Sequence, residues 1–103
     1  MENKCAEAQP YLSGYGYYFL GGYMETRIAV MGIIVENTDS VEALNALLHD
    51  YGRYIIGRMG IPYRDRNINV VSIAIDAPQD IISALAGKVG NLEGISVKTA
   101  YSK

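Results

Sequence analysis

Four arginines crowd one stretch of an otherwise acidic chain. Arg53, Arg58, Arg64 and Arg66, offset only by Asp65, put a net +3 on residues 53–66. A guanidinium presents a planar fork of donors that matches a carboxylate or a phosphate. The segment is therefore a candidate anion site built on Arg58, Met59, Gly60, Tyr63 and Arg64, with Lys98 as a further cation. Gly57 and Gly60 flank Arg58 and Met59, so backbone can come close to a ligand there. The same charges have a second use, as solvated strand ends or inter-subunit ion pairs worth about 0–1 kcal/mol each.

Other chemistry-bearing residues are dispersed. His49 is the single histidine and Cys5 the single cysteine, too few for a zinc cluster. His49 falls near the end of a helical pattern, where the negative helix terminus favours it. Cys5 has Lys4 as its one basic neighbour in sequence, a poor setting for a catalytic thiolate. Asp50, Asp65 and Asp76 are spread over separate elements and make no acid/base pair. Glu36, Asn37, Thr38 and Asp39 stand where a strand meets a helix. Free helix N–H groups could draw an anion there, but the two carboxylates oppose it, and capping accounts for the residue types. No catalytic set and no metal set is assigned, and no cofactor is expected.

Composition narrows the classes. The chain has 103 residues, the size of one domain, with half its residues apolar and 19% charged. Its net charge of −2 argues against direct nucleic-acid binding, which needs a basic face to displace counterions. No apolar run reaches the roughly 18–20 residues of a membrane span. The expected setting is the cytoplasm.

The elements that must position the arginine segment can be read in order. Residues 27–36 are a β-branched, nearly continuous apolar run, a central strand. Asp39 and Glu42 have capping-box spacing, and Val41, Leu44, Leu47, Leu48 and Tyr51 then share a helical face as far as Gly52. Tyr54–Met59 is a second strand, extended through Ile61-Pro62-Tyr63. Arg64-Asp65-Arg66-Asn67 is a turn, and Ile68–Ile75 a third strand. Asp76 with Gln79 repeats the capping spacing before a helix faced by Ile81, Ile82, Leu85 and Val89 and closed at Gly90-Asn91. Ile95–Tyr101 alternates as a last strand.

This order, βαββαβ, is the ferredoxin-like α+β sandwich: a four-stranded antiparallel sheet with two helices on one face. Three strands are apolar on both faces, so a monomer would leave one apolar face wet. An exposed apolar area of that size marks an interface. Ala29, Met31, Ile33, Val70 and Ile95 are the residues placed on that face, and the chain is expected to be a homo-oligomer, a dimer or tetramer. Residues 1–23 differ from the rest: five of the nine tyrosines lie there among glycines, with no clear period, so they read as a flexible extension. Residues 24–103 form the domain, and Met24 is a candidate natural start.

The runs GIIVEN (32–37), HDYGRYIIGRMGIPYR (49–64) and SIAIDAPQDIISALAGKVGNLEGISVKTAYSK (72–103) resemble a small family, the regulators of the iron-only hydrogenase system. GRMGIPY (57–63) and VKTAYSK (97–103) are the most specific matches. The resemblance implies an ACT-like form of the ferredoxin-like fold, similar to the ligand-binding domain of nickel-responsive repressors. It implies a regulatory, oligomeric, non-catalytic protein that binds a small effector or a protein partner. The alternatives are a small enzyme of the dimeric ferredoxin-like-barrel kind, with Tyr54, Arg58 or Tyr101 inside an enclosed pocket, and a transcriptional regulator that reaches DNA through a partner.

Overall fold

A computed structural model of the chain describes residues 16–19 and 22–102. Six strands run β1 (Gly16–Phe19), β2 (Gly22–Glu25), β3 (Arg27–Val35), β4 (Ile55–Tyr63), β5 (Ile68–Ala77) and β6 (Ile95–Tyr101). The helices are α1 (Val41–Asp50) and α2 (Gln79–Gly90). Strands β3 to β6 form one antiparallel sheet in the order β4-β5-β3-β6. With α1 between β3 and β4 and α2 between β5 and β6, this is the ferredoxin-like arrangement.

The core follows from a period of two on the strands and 3.6 on the helices. Ala29, Met31, Ile33 and Val35 of β3 and Val71, Ile73, Ile75 and Ala77 of β5 point at the helices. They pack with Leu44 and Leu48 of α1 and Ile82, Leu85 and Val89 of α2 in one buried cluster. Each fully buried aliphatic side chain contributes about 1.5–3 kcal/mol relative to an exposed one.

This reverses the sheet face first assigned to an interface. Ala29, Met31, Ile33 and Ile95 lie under the helices, with exposures of 8% or less. Only Val70 of the five is on the open face, where it pairs with Ile34 while Val71 pairs with Ile33. The physical cause is that β3 is apolar on both sides. A one-residue shift flips every side chain, and alternation alone cannot choose the covered face.

The helix starts also differ from the capping pattern. Asn37 caps a 3-10 turn at Thr38–Ser40, its side-chain oxygen accepting from the Asp39 N–H at 2.9 Å. The Asp39–Glu42 box is not formed, because that turn carries the chain into α1 and leaves Ser40 at the N-cap. Asp76 belongs to β5, and Pro78 is the N-cap of α2, with Ile81 and Ile82 donating to its carbonyl.

Strands β1 and β2 pair antiparallel, from Gly16 opposite Glu25 to Phe19 opposite Gly22. The rest of the extension expected over residues 1–23, Cys5 included, lies outside the described residues.

Candidate functional site

Edge strand β4 reaches past the helical layer. On its helix side Ile55 is half-buried, but Arg58, Gly60 and Pro62 are exposed, so α1 does not cover this part of the sheet. A groove of about 250 Å³ opens between α1 and β4. Its walls are mainly aliphatic, from Val35, Val41, Leu44, Pro62 and Val71, with Asn69 as a polar lining residue. Arg58 donates from Nη2 to Asn45 Oδ1 at 2.6 Å and so links strand to helix beside the groove. Among the described residues no carboxylate pairs with Arg58. A Cβ built on Gly60 meets no atom within 4 Å, so the space above it is open.

The second surface is the sheet face without helices. The strand register sets three rows across it: Ile61–Val70–Ile34–Ser96, Met59–Ser72–Gly32–Lys98 and Gly57–Ala74–Val30–Ala100. Ile28, Val30, Met59, Ile61 and Tyr63 on this face are 44–60% exposed. Ile56, at the bulge of β4, is exposed as well. No large hydrophobic residue outside β3 and β4 is so exposed among residues 25–102.

The six proposed ligand residues therefore divide among three places. Arg58 and Gly60 line the groove. Met59 and Tyr63 lie on the open face, since they pair with Ser72 and Ile68. Lys98 shares the row of Met59 but stands three strands away, about 14 Å at ordinary strand spacing. Arg64 sits in the 3-10 turn Arg64–Arg66, beside a hollow of about 50 Å³. The structure does not gather the arginines at one point. Asn45 was missed: it is a polar residue one turn after Val41, bordering the apolar stripe of α1, and that interruption was its only signal in the sequence.

The strand–helix junction at residues 36–40 is filled by the chain itself. Ser40 Oγ donates to the Glu93 carbonyl at 2.7 Å, and the Glu36 N–H donates to the Gly94 carbonyl at 2.7 Å. At the other end of the sheet Arg27 lies 4.3 Å from the Tyr101 ring centre and donates to Gln79 Oε1 and the Ser102 carbonyl. Gln79 Nε2 donates in turn to the Tyr101 hydroxyl at 2.9 Å. Tyr101 thus ties β6 to α2 rather than facing a cavity. Lys88 on α2 has its pKa raised, chiefly by its side-chain interaction with Tyr51, whose ring centre lies 5.3 Å from Lys88 Nζ. Among the described residues no three His, Cys, Asp or Glu side chains are grouped to hold a metal ion. Among the described residues no helix is long and apolar enough to cross a membrane.

Topology, groove and open face together define a ferredoxin-like α+β domain. Residues 27–99 match the model of the TM1266-like family, described as "Iron-only hydrogenase system regulator, putative", and the chain belongs to that family. The solved structure of uncharacterized protein TM1266 from Thermotoga maritima is similar, with 32% sequence identity and a TM-score of 0.74. The alignment covers 77% of this chain and 100% of that one. No curated protein matches.

Proposed function

We propose that this chain is a non-catalytic regulator of an iron-only hydrogenase system, working as a homo-oligomer that binds a small effector or a protein partner. The observation that carries the reading is the open sheet face. Its exposed Ile28, Val30, Met59 and Ile61 are unusual for a protein that stays monomeric. Burying such a surface is the main driving force of association. Edge-to-edge growth of the sheet is disfavoured at β4, where Pro62 lacks an N–H and a bulge interrupts the ladder at Ile55–Gly57. Face-to-face pairing with a second copy covers the apolar rows without using that edge. The family description supports action on a hydrogenase system.

The test replaces the chromosomal gene by a Val30→Asp variant in a host with an iron-only hydrogenase. Hydrogenase activity is then compared with the wild type and with a deletion. The reading predicts that deletion changes hydrogenase output and that Val30→Asp, expressed at a normal level, reproduces the change. Unaltered output in both strains contradicts a regulatory role. An effect of deletion but not of Val30→Asp contradicts the need for the open face.

A further inference from the structure

We propose that the groove between α1 and β4 binds a small monocarboxylate with a compact branched or aromatic body and no ammonium group. The inference rests on the reading of the chain as an effector-binding protein and names the effector's chemical class.

Three observations define that class. First, the Arg58 guanidinium at the groove is bonded to a neutral amide oxygen, that of Asn45, at 2.6 Å. Among the described residues it lacks a carboxylate partner. A guanidinium has five N–H donors in a fixed fork, so it can engage an incoming carboxylate while the Asn45 contact orients it. Second, the walls are mostly aliphatic and the space above Gly60 is empty. A bare inorganic anion would leave that surface wet; an apolar body would cover it. Third, the groove has no Asp or Glu in its lining. A zwitterionic amino acid would lose hydration of its ammonium group with no carboxylate to replace it. The volume of about 250 Å³ lies just below the usual range of ligand clefts, which restricts the ligand to few atoms.

The test uses the full chain and three probes: 4-methyl-2-oxopentanoate, leucine and inorganic phosphate. Binding is followed by calorimetry and by amide chemical shifts. The proposal predicts saturable binding of the oxo acid, with the largest shifts at Asn45 and Gly60 and their neighbours. Leucine and phosphate bind at least about tenfold more weakly. Arg58→Gln weakens the oxo acid at least about tenfold, as expected for loss of a charge-assisted contact. Gly60→Val, whose side chain enters open space on the groove side, abolishes binding. Both positions are exposed, so both variants retain the wild-type melting curve. No oxo-acid binding, equal binding of phosphate or leucine, or unchanged affinity in Arg58→Gln overturns the proposal. These outcomes are separable from failure of the regulatory reading, because mass in solution and hydrogenase output are read independently of the groove.

Discussion

At the scale of single residues, neighbours in sequence have opposite fates. Met31 is fully buried against the helices, whereas Val30 beside it is 45% exposed on the open face. A carboxylate at position 31 would be an unpaired charge in the core, with a cost of about 4 kcal/mol or more. The total stability of a domain this small is about 5–10 kcal/mol. Met31→Asp is therefore expected to yield unfolded or insoluble protein, while Val30→Asp keeps the wild-type circular dichroism spectrum. Denaturation of the two variants side by side measures the difference. Gly94 is a second diagnostic residue. Its φ of +73 lies in the left-handed region, and an added Cβ would collide with Asn37. The turn holding Gly94 accepts the Glu36 N–H, so strain there acts on the end of β3. Gly94→Ala should cost about 2–3 kcal/mol, seen as a lower midpoint in urea at unchanged slope.

At the scale of elements, the order of strands and helices is legible because each signal is local. Periodicity separates β3 to β6 from α1 and α2, and Asn67 at φ 56 closes the turn after β4 as a residue tolerant of that conformation. Two things are not local. The covered face of β3 depends on its register with β5 and β6, and both faces of β3 are apolar, so alternation alone cannot place residues 29, 31 and 33 under the helices. The groove depends on how far α1 reaches across the sheet. That distance is fixed by packing of Leu44 and Leu48, so the contact of Asn45 with Arg58, thirteen residues away, has no pattern in the chain. The arginine cluster, dense in sequence, is divided by the pleat and the turn. Gly32 tests the element-level account. It occupies the middle row of the open face, and a built Cβ meets nothing within 4 Å. Gly32→Val should leave the folded chain as stable as the wild type or up to about 1 kcal/mol more stable. It should still weaken the proposed assembly, because the added methyl groups would stand where a partner sheet would approach. Concentration-dependent sedimentation separates the two effects.

At the scale of the whole molecule, one side of the sheet holds the two helices and the core, and the other holds apolar side chains facing water. A chain of 103 residues buries a smaller share of its surface than a larger domain does, so the proposed pairing of open faces would add stability that the core alone supplies sparingly. The groove lies on the helix side and the proposed interface on the opposite side of the sheet, so a ligand and a second copy can be held together. Edge strand β4 borders both, with Pro62 lining the groove and Ile61 standing in the open-face row with Val70. The measurement that bears most directly on the central claim is the mass of the full chain in solution, by native mass spectrometry or sedimentation, for the wild type and Val30→Asp in parallel. The account predicts a discrete oligomer for the wild type and a folded single chain for Val30→Asp. A wild-type protein that stays a single chain at every concentration, or an oligomer that Val30→Asp leaves intact, would contradict it.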